Sequence, residues 1–130
     1  MTTVLLDSHV VHWWSAEPER LSKAACRAVE AADELAVAGI TWFELAWLAE
    51  HDRIRLAIPV RSWLQQLAED VRTVGITPSV AAAAVSLPST FPGDPADRLI
   101  YATAVEHGWR LVTKDRRMRN HKHPRPVTVW

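Results

Sequence analysis

Four acidic side chains fall where an apolar run ends or a helix is expected to begin. They are Asp7 after Val4-Leu5-Leu6, Glu44 after Ala38-Gly39-Ile40, Asp97 within Asp94-Pro95-Ala96-Asp97-Arg98, and Asp115 after Leu111-Val112-Thr113. In an open α/β sheet the carboxyl ends of the strands share one edge, so acids remote in sequence converge there on a single crevice. Gathered carboxylates repel one another, and a divalent cation relieves that repulsion. Hard ions such as Mg²⁺ or Mn²⁺ take carboxylate and water oxygens. The chain has no CxxC pair for a thiolate zinc site, and the two imidazoles of His121-Lys122-His123 have a spacing and basic flanks ill suited to a metal.

Each acid also has a local role open to it. Asp7 can cap a following helix, and Glu44 can complete a capping box with Thr41, a contribution of about 1 kcal/mol. Asp94 suits a helix cap. Asp97 then stands in the first turn, where the macrodipole favours an anion by about 0.3 to 1 kcal/mol. Asp115 can cap a turn or pair with Arg116 or Arg117. Independent caps have no reason to recur at four junctions of the same polarity, so the conjunction favours a site.

Positioning these acids requires alternating strands and helices. The sequence predicts a buried strand over Thr3 to Leu6, then a helix or turn over Val10 to Ser15. Ser22 caps an Ala-rich helix from Lys23 to Ala32. A strand follows over Leu35 to Ile40, and a helix starting at the Thr41-Glu44 box and running to Glu50 or His51. Further helices are expected from Pro59 through Val71 and from Thr77-Pro78 to Leu87-Pro88, with a strand over Val74 to Ile76 between them. Pro95 to His107 has Asp94 as cap, proline at its first position and Gly108 just past its end. Strands over Trp109 to Thr113 and Val127 to Trp130 enclose a turn or short helix at Lys114 to Arg119. This alternation predicts an α/β fold: one domain, residues 1-130, with a central parallel sheet covered by helices on both faces.

Bulk properties agree with a globular protein. The 130 residues are 48% hydrophobic and 23% charged, outside the disordered and collagen-like extremes. Such a chain buries about two-thirds of its unfolded surface. The one cysteine, Cys26, excludes an internal disulfide. The amino-terminal Met1 to Asp7 meets an acid after three apolar residues, so neither a signal peptide nor a membrane span is expected, and a soluble cytoplasmic location is. The zero net charge hides an asymmetry: residues 1 to 90 carry 7 basic and 11 acidic side chains, residues 91 to 130 carry 8 and 4. Arg116, Arg117 and Arg119, just beyond Asp115, are candidates for binding the phosphates of RNA, against the plainer reading of a solvated basic turn. Arg98 is expected to pair with a local carboxylate. Of seven tryptophans, Trp42, Trp47 and Trp63 fit helix faces and are expected in the core.

The ordered set of motifs resembles the PIN-domain ribonucleases, and within them the VapC toxins of bacterial toxin-antitoxin pairs, across essentially the whole chain. Val4-Leu5-Leu6-Asp7-Ser8 is similar to the family's opening strand, acid and hydroxyl, and Thr41-Trp42-Phe43-Glu44-Leu45 to its second acid. Asp94 through Ala104 is similar to a long family segment, and Leu111-Val112-Thr113-Lys114-Asp115 to the closing Thr-x-Asp. The resemblance implies that Asp7, Glu44, Asp97 and Asp115 form an acidic pocket, with Asp7 and Asp97 as direct metal ligands and Ser8 and Thr113 in support. Asp94 is an added acid that leaves two residues, Asp94 and Asp97, as candidates for the ligand of this segment; Asp97 is preferred, with Asp94 read as the cap. The implied activity is Mg²⁺- or Mn²⁺-dependent hydrolysis of RNA phosphodiesters by an endoribonuclease toxin. The implied partners are RNA, a VapB-type antitoxin and a second copy in a homodimer, with no membrane. Two other readings use the same residues: a phosphoryl-transfer or signalling domain with Asp7 as phosphate acceptor, which lacks the Asp-x-Asp of haloacid-dehalogenase-type phosphatases, and a non-catalytic RNA- or protein-binding module.

Overall fold

Strand β1, Thr3–Leu6, is buried at all four positions, as an apolar run bounded by polar residues should be when helices cover both faces of the sheet. The computed structural model describes residues 1–130. Beside β1 lie β2 (Glu34–Ala38) and β4 (Arg110–Val112); outside them are β3 (Arg72–Val74) and β5 (Thr128–Val129). The order is β3-β2-β1-β4-β5 and every pairing is parallel. The α/β architecture with a central parallel sheet is therefore as the alternation predicts. Seven helices connect and cover it: α1 (Ser8–Ala16), α2 (Lys23–Ala31), α3 (Ile40–Glu50), α4 (Val60–Glu69), α5 (Pro78–Ser86), α6 (Pro95–His107) and α7 (Arg116–Asn120), with a 3₁₀ turn at Pro18–Arg20.

The pleat divides the core. Val4, Leu6 and Val37 pack with Val10, Val11, Leu45, Trp63 and Leu67 on one side, whereas Leu5, Ala36 and Leu111 pack with Ile100, Tyr101, Ala104 and Met118 on the other. Alternate residues of one strand thus feed both layers. Leu5, Leu6 and Leu111 are wholly buried, each contributing about 1.5–3 kcal/mol by leaving water.

Helix α6 has the expected limits: the Asp94 carboxylate accepts from Ala96 N–H, and Gly108 ends the helix at φ 69°, a left-handed conformation that glycine adopts without strain. The start of α3 differs from expectation. The helix begins at Ile40 behind Gly39, with no side-chain cap, while Thr41 is fully buried inside it. Gly39 N–H continues the strand ladder to Val74 C=O at 2.8 Å, so strand passes into helix without an intervening cap, and Glu44 is left for another partner. The third strand is also earlier than expected, because its register is set by pairing of Ala36 to Arg72 and Ala38 to Val74.

Two further expectations are corrected. Arg98 meets no carboxylate; it donates to the carbonyls of Ala84, Leu87, Pro88, Phe91 and Pro92 at 2.9–3.4 Å. Its guanidinium thereby satisfies the end of α5 and the loop after it, since the last carbonyls of a helix lack intrahelical donors. Trp63 is buried, but Trp47 is 44% exposed and Phe43, one turn earlier, 67%. No helix is long and apolar enough to cross a membrane, and Cys26 is a free, partly buried thiol.

Candidate metal centre

The carboxyl end of β1 fixes the first acid. Asp7 N–H bonds to Val112 C=O of the neighbouring strand at 3.0 Å, and the Asp7 side chain caps α1 by accepting from Ser8 N–H at 2.8 Å. Its second oxygen accepts from the Thr113 hydroxyl at 2.6 Å. Thr113, fully buried just past β4, in turn accepts from Asp115 N–H at 3.0 Å. One hydroxyl therefore ties two of the acids to adjacent strand ends.

Glu44 comes in from α3. Its Oε1 accepts from the Ser8 hydroxyl at 2.5 Å, so Ser8 orients Glu44 through its side chain and Asp7 through its backbone. Asp97 projects from the first turn of α6, and Asp94 precedes it as the cap. Asp115 caps α7 by accepting from Arg117 and Met118 N–H at 2.8 and 3.3 Å. Three of the caps proposed from sequence thus exist, at Asp7, Asp94 and Asp115, and the same carboxylates also face a common cavity.

That cavity, about 570 Å³, is lined by Asp7, Glu44, Asp94, Asp97 and Asp115, together with Ser8 and His9. All four acids expected from sequence are gathered here. Asp94 joins them, and Glu44, Asp94 and Asp97 offer carboxylate oxygens that all lie within 4.8 Å of one another. Asp94 both caps α6 and belongs to the tightest cluster, so the choice between Asp94 and Asp97 left open by the sequence is not exclusive.

Electrostatics reflect the crowding. Burial, then the charges of Asp94, Asp7, Asp115 and Glu44, push the Asp97 carboxyl from 3.8 up to about 7. Burial also raises Asp7, against the opposing hydrogen bond from Thr113, and raises Glu44 against that from Ser8. Like charges in a partly desolvated site disfavour ionisation, and a bound cation reverses that preference. The donor set, all hard oxygen with no thiol or imidazole in the cluster, fits Mg²⁺ or Mn²⁺.

Cations also line the cavity. Arg117 Nη2 lies 3.6 Å from Asp97 Oδ2 and 3.6 Å from Asp115 Oδ2, while Arg116 and Arg119 do not line it. Lys114 and Arg20 form part of the same wall, and both sit over the Trp13 ring, at 5.7 and 4.7 Å. Lys114 is adjacent to Asp115 in the sequence. Arg20 had no sequence signal, because only the fold brings the turn after α1 to the strand ends.

Comparison with known proteins places this arrangement. A family model described as the PIN domain matches residues 4–124. The chain is 83% identical over 130 residues, covering 100% of both sequences, to Ribonuclease VapC22 of Mycobacterium tuberculosis. Among solved structures it is similar to a toxin-antitoxin complex from Klebsiella pneumoniae, with a TM-score of 0.69, 22% identity, and coverage of 98% of this chain and 96% of that one. It is also similar to VapBC2 from Rickettsia felis bound to a promoter DNA fragment, with a TM-score of 0.71, 12% identity, and coverage of 98% and 97%. At these identities the two solved structures speak to the fold.

Proposed function

This chain belongs to the PIN-domain family, and on that premise we propose that it is a VapC-type ribonuclease toxin, an endoribonuclease that hydrolyses RNA phosphodiesters with a divalent cation held among its carboxylates. The whole of residues 1–130 is read as one such domain. The observation that carries this reading is the convergence of Asp7, Glu44, Asp94, Asp97 and Asp115 on one cavity at the strand ends. The 83% identity to a ribonuclease over full length supports the reaction class.

Glu44, Asp94 and Asp97 would hold Mg²⁺ or Mn²⁺, with Asp7 and Asp115 on the same wall. Bound there, the ion supplies Lewis-acid polarisation of the phosphate and of the attacking water and offsets charge on the leaving oxygen. The protein supplies position. Thr113 and the Ser8 amide fix both oxygens of Asp7, and the Ser8 hydroxyl fixes Glu44, so the carboxylates are held in place before substrate arrives. Lys114 and Arg117 bring positive charge to a site that would otherwise repel a polyanion.

A VapB-type antitoxin is the proposed protein partner, supported by the VapBC assemblies among the structural neighbours. Beside the acids, Ile40, Phe43, Trp47 and Leu48 line an apolar groove of about 450 Å³ that shares Ser8, His9, Glu44 and Asp94 with the acidic wall. It suits an apolar tail ending in a basic residue that competes with the cation. A homodimer and a cytoplasmic location complete the proposal; light scattering of the purified chain tests the former.

The test of function is cleavage of a single-stranded RNA by purified protein with Mn²⁺, with EDTA, and after Asp7→Asn. Cleavage confined to the first condition supports the reading. Stable mass addition of a phosphoryl group from acetyl phosphate and Mg²⁺, without RNA cleavage, would instead assign Asp7 to phosphoryl transfer.

A further inference from the structure

Next to the acidic cavity lies a second concavity of about 620 Å³, and the two share His9, Trp13 and Arg20. Arg53 and Arg55 line it from the far side. Three of the seven basic residues among the first ninety therefore meet in one hollow, within a segment of the sequence that is acidic overall.

The backbone holds these arginines in place. After α3 the chain turns through Asp52 in the left-handed region, φ 56°, and Arg53 and Ile54 N–H both return to Leu48 C=O at 2.8 and 3.3 Å. Ile54 is buried in the core beside Trp63. The anchored Ile54 thus leaves the side chains on either side of it at the surface: Arg53 and Arg55 are exposed, and no acid pairs with either. Arg20 is held differently, over the Trp13 ring at 4.7 Å and 3.7 Å from Glu17, the one carboxylate in this hollow. Guanidinium stacking on indole fixes direction while leaving donors free.

We infer that the hollow of Arg20, Arg53 and Arg55 is the track along which the RNA backbone leaves the metal centre, each guanidinium meeting a phosphate flanking the one to be cut. This inference rests on the ribonuclease reading and extends it to the grip on substrate. It moves that grip from the segment Arg116 to Arg119 to the hollow that adjoins the cavity at His9, Trp13 and Arg20, because Arg117 is turned onto Asp97 and Asp115 and Arg116 and Arg119 do not reach the cavity. Charge complementarity and continuity with the carboxylate site favour a nucleic-acid strand. An acidic peptide from a protein partner is the competing occupant.

The test is binding of a fluorescein-labelled 12-nucleotide single-stranded RNA of mixed sequence, read by anisotropy across a KCl series on an Asp97→Asn background that keeps the strand uncut. Each phosphate contact on a single strand contributes about 0.7 to the slope of log K against log salt. Arg53→Gln with Arg55→Gln should weaken binding about tenfold or more near physiological salt and flatten the slope by about 1.4. Arg53→Lys with Arg55→Lys should retain most of the slope, and Arg116→Gln should leave it unchanged. Wild-type cleavage with Mn²⁺ is measured alongside. An unchanged slope in the double Gln variant, with wild-type cleavage intact, overturns the track and leaves the nuclease reading standing; absence of both binding and cleavage removes both. Loss of binding to a labelled poly-glutamate peptide in that variant, with RNA binding unaltered, assigns the hollow to a protein and likewise overturns it.

Discussion

The Thr113 hydroxyl donates to Asp7 Oδ2 at 2.6 Å, joining residues 106 positions apart in the chain. The bond exists because β1 and β4 are adjacent and parallel, with Leu6 paired to Val112, so the residues just beyond each strand stand side by side. It favours the ionised form of Asp7, against the burial that raises its carboxyl. Thr113→Val keeps the shape and removes both the donor to Asp7 and the acceptor for Asp115 N–H. Leaving buried partners unmatched costs about 1–3 kcal/mol, so the variant should melt a few degrees lower. The pH at which cleavage rises should move upward. A pH-rate profile with an unmoved limb would show that Thr113 does not tune Asp7.

Asp97 makes the metal-free protein sensitive to pH. Its carboxyl gives up its proton near 3.8 in the unfolded chain and near 7 in the fold. Between those values the folded state binds more protons, so this group's contribution to stability falls as pH rises through that window and is constant above it. With EDTA present, thermal denaturation at pH 5 and pH 7.5 should show a loss at the higher pH that Asp97→Asn reduces. Saturating Mn²⁺ at pH 7.5 should recover it. An identical pH slope in the Asn variant would contradict the assignment.

Arg117 pairs with Asp97 and Asp115 and would compete with a cation held there. Its side chain is 68% exposed, and the pairs to Asp97 and Asp115 are both long at 3.6 Å, so solvent screening keeps their own contribution small, about 0–1 kcal/mol. Removing the guanidinium should nevertheless matter to a divalent ion. Arg117→Gln is expected to bind Mn²⁺ several-fold more tightly by calorimetry; weaker binding would mean that Arg117 helps to organise the site.

Arg98 is a structural residue in the midst of a functional segment. Because five carbonyls share its guanidinium, Arg98→Gln should destabilise the fold by about 1–3 kcal/mol, as breaking a partly buried network does. Lysine, lacking the planar fork, should recover little of it. Mn²⁺ affinity of the remaining folded protein should be unchanged. A variant that melts like wild type yet loses Mn²⁺ would assign Arg98 to the site.

These two arginines illustrate what the sequence could and could not convey. Helix α6 was legible because its signals are local: Asp94, Pro95 and Gly108 each act within one turn. The convergence of Asp7, Glu44, Asp97 and Asp115 was legible because parallel topology puts strand ends on one edge. The start of α3 was not, since its capping pattern at Thr41 and Glu44 was overridden by tertiary partners, Ser8 for Glu44 and burial for Thr41. Arg98 carried no local sign that its partners would be carbonyls of the preceding helix and loop. Arg20, Arg53 and Arg55 were equally opaque, because their meeting depends on how two turns pack.

In the proposed function the gathered carboxylates work by holding a divalent cation for RNA cleavage. The most direct measurement pairs Mn²⁺ calorimetry with single-turnover cleavage of a labelled RNA for wild type, Asp7→Asn and Asp97→Asn, with circular dichroism to establish the fold. Wild type should bind Mn²⁺ and cut only in its presence, Asp97→Asn should bind it at least tenfold more weakly, and both variants should lose at least a hundredfold in cleavage while folded. Cleavage by wild type in EDTA, or full Mn²⁺-dependent cleavage by both folded variants, would contradict it.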